Sequence, residues 1–150
     1  MSDPTSVELL LVEDNPQDLE LTLRALRKAN LAARVHVARD GVEAAEFLFC
    51  EGPHATRQFS RPPKVVLLDL KLPKLDGLEV IKRVKGDPRT KFIPIVVLTS
   101  SREQRDVVES YQLGVNSYIV KPVNSDHFSA AVRELGTYWL LLNQPPKTNA

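Results

Sequence analysis

The strongest constraint in this sequence is an alternation. Five short apolar runs rich in β-branched residues occupy positions 7–12, 34–38, 65–68, 95–98 and 117–120, and each is followed by a segment with helical spacing. Over 16–29, Leu19, Leu23 and Leu26 form one stripe, and Pro16 suits a first turn. Asp40 can cap a helix carrying Val42, Ala45 and Phe49. Leu78, Ile81 and Val84 lie on one face over 77–85, and Gly86-Asp87-Pro88 stops that helix. Val107, Val108 and Tyr111 mark a fourth helix over 103–113. Ser125 is placed to cap a fifth, bearing Phe128, Val132, Leu135, Trp139 and Leu142. Strand then helix, five times over, predicts an α/β fold: a parallel sheet covered by helices on both faces. With right-handed crossovers, the expected form is doubly wound, five strands in the order 2-1-3-4-5 with five helices.

Length and charge narrow the class. A chain of 150 residues predicts a single domain over 1–150, with a core spanning about 7–136, a helical extension to about 143 and a polar tail beyond. The net charge of +1 supplies no basic field to draw the protein to nucleic acid or to an anionic membrane. The N-terminal apolar stretch, 9–12, is far shorter than a leader or a spanning helix needs, which predicts the cytoplasm. One cysteine, Cys50, excludes an intramolecular disulfide, and its expected place is packed inside a helix face. Residues 52–64 make a long connection for such a fold.

In open α/β sheets, ligands bind beyond the carboxyl ends of the strands, near the switch in strand order. Here the first strand is followed by Glu13-Asp14, the third by Asp69, the fourth by Thr99-Ser100 and the fifth by Lys121-Pro122. Three carboxylates, a hydroxyl and an ammonium therefore converge on one edge. Like-charged carboxylates roughly 4–5 Å apart repel by about 3–4 kcal/mol per pair at an effective dielectric near 20, so a proton or a divalent cation must relieve them. Few ligands, all hard oxygens, favour Mg²⁺, which keeps several waters and shares a phosphate. Lys121 and the Thr99 hydroxyl both suit phosphoryl oxygens. The set describes a site for in-line phosphoryl transfer, with Asp69 as the nucleophile. Taken singly, each residue has a plainer role. Asp69 can end a strand, Glu13-Asp14 can complement a helix dipole, Thr99 and Ser100 can cap a helix, and Lys121 can be a solvated charge. Their coincidence at switch-side strand ends favours the site.

Glu13-Asp14, the run LLDLKLPKLDG holding Asp69, then VVLTS, then SYIVKP, resemble the receiver domain of two-component response regulators over about residues 7 to 136. The resemblance implies a flavodoxin-like fold and transfer of a phosphoryl group from a histidine kinase to Asp69. It implies Mg²⁺ held by Asp14, Asp69 and the backbone carbonyl of Lys71, with Glu13 acting largely through metal-bound water. It further implies that Lys121 pairs with the phosphoryl group, that Thr99 hydrogen-bonds it and that Tyr118 is the switch aromatic. A cis peptide between Lys121 and Pro122 belongs to the same pattern. Lys71 and Ser101 occupy two places flanking the phosphoryl group, where they should alter the dephosphorylation rate.

Because the sequence stops soon after the fifth helix, a stand-alone receiver acting through a surface contact is expected. TYWLLL, ending at Leu142, is apolar almost all round, so Tyr138, Trp139, Leu141 and Leu142 are candidate interface residues, with Tyr138 and Leu141 expected to face outward. The long connection and this helix end resemble the small response regulators that partner bacterial and cyanobacterial phytochromes. That implies a red-light-sensing histidine kinase as donor and a homodimer. His36, His54 and His127 suit packing or surface roles. Three rivals remain in view. A haloacid-dehalogenase-type phosphatase needs an aspartate where Lys71 stands. A dinucleotide-binding domain needs glycines that EDNPQD lacks. A phosphate-independent interaction module would not need Asp69.

Overall fold

The computed structural model describes residues 7–121 and 125–146, apart from the Ser125 side chain. The expected caps and peptide geometry at Ser125 and Pro122 lie outside the described residues. Five parallel strands, β1 (Leu9–Val12), β2 (Val35–Ala38), β3 (Val65–Leu68), β4 (Ile95–Thr99) and β5 (Ser117–Val120), form one sheet in the order β2-β1-β3-β4-β5. Helices α1 (Pro16–Lys28), α2 (Gly41–Leu48), α3 (Gly77–Gly86), α4 (Gln104–Leu113) and α5 (Ser125–Thr137) follow them in turn.

Side-chain alternation along the strands divides the core in two. Leu10, Val12, Val66, Leu68, Ile95 and Val97 face α2 and α3, where Phe47, Val80, Ile81 and Val84 are buried. Leu9, Leu11, Val65, Leu67, Val96 and Leu98 face α1 and α5, where Leu19, Leu26, Phe128 and Val132 are buried. Burial on both faces explains why β1, β3 and β4 read as continuous apolar runs. Asn15 caps α1 by accepting from the N–H groups of Gln17 and Asp18, and Asp40 caps α2 by accepting from that of Glu43.

Four expectations are corrected. In α2 the buried residues are Gly41, Ala44, Ala45, Phe47 and Leu48, and Val42, one step round from Gly41, is exposed. In α4 the buried positions are Asp106 and Ser110, while Val108 and Tyr111 face solvent. The cause is polar: Asp106 is needed inward, against groups at the strand ends. Cys50 lies just past α2 with φ 55°, half-buried, not on a helix face. Leu142 is 71% exposed, because a π turn over Tyr138–Leu142 advances the phase and brings Leu140 to the core instead. The Lys64 ammonium donates to the Leu140 carbonyl at 3.0 Å, satisfying one of the acceptors freed at this helix end.

The long connection is not loose. Its first residues turn as a 3₁₀ segment, Gly52–His54. His36 stacks on Phe47 with ring centres 4.6 Å apart, His54 meets both rings edge-on, and the Arg57 guanidinium lies 3.6 Å from the Phe47 ring centre. His36 and His54 thus pack the loop onto β2 and α2.

Candidate functional site

Sheet hydrogen bonding runs one residue past the strand ends and places the polar groups there. Glu13 N–H donates to the Ala38 carbonyl, Asp69 N–H to that of Val12, and Lys121 N–H to that of Thr99. Gly77 then fits against the Asp69 turn. A Cβ there would lie 2.5 Å from the Asp69 carbonyl oxygen and 2.6 Å from Leu70 Cα, so only glycine lets α3 start so close.

One carboxylate oxygen from each of Glu13, Asp14 and Asp69 falls within 4.8 Å of the others. Glu13 and Asp69 are buried, and Asp14 is exposed. Lys121, only 4% exposed, reaches into the cluster. Its ammonium donates to Glu13 Oε1 at 2.6 Å, Asp18 Oδ2 at 2.8 Å and Asp69 Oδ2 at 3.4 Å. The Lys71 N–H donates to Asp69 Oδ1 at 3.3 Å, which brings the Lys71 backbone beside the acids.

Burial pushes the Glu13 carboxyl up to about 7, with the Asp69 charge adding to it and the Lys121 ammonium opposing. Burial would lower Lys121, but hydrogen bonds to Asp18 and Glu13 and the charge of Asp69 override it and hold the ammonium charged. Three carboxylates, Glu13, Asp18 and Asp69, thus meet one ammonium. Three hard oxygens at this spacing, one of them open to water, fit Mg²⁺ or a related divalent cation.

Thr99 is fully buried at the end of β4, and its hydroxyl accepts weakly from the Ser101 N–H at 3.4 Å. The Tyr118 hydroxyl donates to the Ser101 carbonyl at 3.0 Å, so Thr99 and Tyr118 meet through one residue. The Ser101 hydroxyl donates to Asp106 Oδ2 at 2.5 Å, and the Lys71 ammonium lies 3.9 Å from that same oxygen. Ser101 is therefore tied into α4 rather than standing open beside Asp69.

Two participants escaped the sequence reading. Asp18 was the last acid of EDNPQD, and its position one turn after Asp14 was the available signal. Asp106 interrupts the apolar spacing of its helix at a buried position, and that gap was the signal. At the other end of the molecule, Tyr138 and Leu141 are exposed as expected. Trp139 packs partly against the α1–α5 core, so it joins the exposed group only by one edge.

A doubly wound sheet carrying an acid–lysine–threonine pocket at its order switch defines a phosphoryl-accepting signalling module rather than a classical enzyme. The chain belongs to the response regulator receiver domain family, whose model matches residues 9–133. It is 39% identical over 139 residues to response regulator Rcp1 of Synechocystis sp., covering 93% of this chain and 92% of that protein. The Mn²⁺-bound crystal form of Rcp1 superimposes with a TM-score of 0.83 at 37% identity, over 92% of this chain and 97% of the other. The phosphorylated cyanobacterial phytochrome response regulator RcpA gives a TM-score of 0.85 at 38% identity, over 95% and 100%. The bacteriophytochrome response regulator AtBRR is 55% identical with a TM-score of 0.72, over 94% and 100%. The acidic cluster of Glu13, Asp14 and Asp69 is of the kind that accompanies aspartate phosphorylation in phosphorelay signalling.

Proposed function

We propose that Asp69 accepts a phosphoryl group from the phosphohistidine of a sensor histidine kinase. An Asp69 carboxylate oxygen attacks phosphorus, the O–P bond forming as the P–N bond breaks, and the bonding pair stays on the imidazole nitrogen. The observation that carries this is the meeting of Asp69 with Lys121 and two further acids at the switch in strand order. Glu13, Asp14, Asp69 and the Lys71 carbonyl would hold Mg²⁺, which when bound neutralises charge on the transferring oxygens. Lys121 binds one phosphoryl oxygen and the Thr99 hydroxyl another. Movement of Thr99 toward the new charge tugs on Ser101 and, through it, on Tyr118, biasing the α4–β5–α5 face between two states. The receiver domain matched over residues 9–133 works as one unit.

The donor is a phytochrome-type kinase, a reading supported by the likeness to RcpA and AtBRR. A second copy of the chain covers Tyr138, Leu141 and Leu142, supported by their exposure within one turn. Among the described residues no helix is long and apolar enough to cross a membrane, which fits a cytoplasmic place beside the kinase's catalytic domain. Incubation with Mg²⁺ and acetyl phosphate, followed by intact mass, tests the central claim. One phosphoryl adduct is expected on the wild type and none on Asp69→Asn. An equal adduct on both would remove Asp69 from the reaction.

A further inference from the structure

An ammonium has three N–H donors, and Lys121 spends all three on carboxylates: Glu13 at 2.6 Å, Asp18 at 2.8 Å and Asp69 at 3.4 Å. A phosphoryl oxygen can gain a bond from this lysine only if one of those partners lets go. The three differ in what release costs. Glu13 has a side chain 2% exposed, so leaving it unpaired strands a buried carboxylate. Asp69 itself carries the incoming group. Asp18 has a side chain 35% exposed, so water can take over its hydrogen bonds.

Asp18 is also well placed to wait. It lies in the first turn of α1, where Asn15 accepts its N–H at 3.0 Å and its own carbonyl accepts from the Thr22 hydroxyl at 2.9 Å. Its backbone is thus fixed without the carboxylate, which is free to serve the lysine.

On the phosphoacceptor reading of Asp69, we infer that Asp18 is a positioning residue acting through Lys121: it holds the ammonium in the unphosphorylated protein and yields it to the phosphoryl group. Asp18 therefore favours the unphosphorylated state. Removing its charge weakens the hold on one Lys121 donor, which the phosphoryl group can then take at lower cost.

The test compares the full-length wild type, Asp18→Asn and Asp18→Glu. Affinity for beryllofluoride, a phosphoryl mimic, is measured by calorimetry with Mg²⁺ present, and the Lys121 Nζ resonance is recorded by NMR without ligand. Asp18→Asn should bind beryllofluoride about two- to five-fold more tightly, the scale of a part-exposed ion pair. Its Lys121 resonance should move, while Asp18→Glu stays near the wild type in both readouts. A role confined to the helix dipole would lower the melting temperature and leave affinity and resonance alone. That result overturns the inference, as does weaker binding, or equal tightening in both variants. If the wild type binds no beryllofluoride at all, the phosphoacceptor reading itself fails. If it binds and Asp18→Asn matches it, only the role of Asp18 falls.

Discussion

Ser101 links three residues around the pocket. Its N–H meets Thr99, its carbonyl receives the Tyr118 hydroxyl, and its own hydroxyl serves the buried Asp106. Only the last bond depends on the side chain. Ser101→Ala should therefore keep the Tyr118 contact but leave Asp106 short of a donor, costing about 1–3 kcal/mol in urea denaturation. His36 provides a pH-dependent counterpart. Burial, then the charges of His54 and Arg57, lower its pKa from the ordinary 6.5, with Glu43 opposing. The folded value lies below the unfolded one, so the stability involved is present above 6.5 and lost as pH falls through the folded value. Melting temperature should drop between about pH 7 and pH 5, and His36→Gln should flatten that slope. An unchanged slope would show that another group governs the acid limb.

At the level of elements, two junctions matter most. The first is the start of α3, where Gly77 lies against the backbone of Asp69 and Leu70. Gly77→Ala must push that turn aside, since both neighbours are backbone atoms. It should cost about 1–3 kcal/mol of stability. Displacement of Asp69 should slow acetyl phosphate uptake by roughly ten- to hundred-fold, read as the rate of adduct formation. The second is the π turn after α5. A regular continuation would have turned Leu142 inward. The inserted residue instead puts Leu140 in the core and leaves Leu141 and Leu142 together on the surface, with Lys64 holding the Leu140 carbonyl.

For the molecule as a whole, the phosphoryl chemistry sits at the carboxyl ends of the strands, while the apolar surface of Tyr138, Leu141 and Leu142 lies past α5. Tyr118 on β5 and Asp106 on α4 both bond Ser101 beside the pocket, which gives a charge change at Asp69 a route to α4 and β5. The apolar surface is tested by Leu141→Asp together with Leu142→Asp. Because both side chains are exposed, stability should change by no more than about 0.5 kcal/mol each. Light scattering after size exclusion should show a dimer for the wild type and a monomer for the double variant. A wild-type monomer, with and without beryllofluoride, would overturn the interface.

The sequence by itself determined the sheet and most of the pocket. Doubly buried parallel strands must be continuous apolar runs, and polar residues directly after such runs can only gather at one edge. The placing of Glu13, Asp14, Asp69, Thr99 and Lys121 at strand ends was legible for that reason, while the strand order rested on the doubly wound form with right-handed crossovers. Helix faces were less so. In α2 Gly41 is buried while Val42 is exposed, and in α4 Asp106 and Ser110 are buried while Val108 and Tyr111 are exposed, so only packing decides which positions are covered. Tertiary structure decided that Asp18 joins the site, because it is an ordinary helix acid until the loop after β5 brings Lys121 against it, whereas Asp106 meets Ser101 only five residues away in sequence. Tertiary structure also set the π turn, whose phase follows from the fit of Leu140 into the core rather than from local spacing.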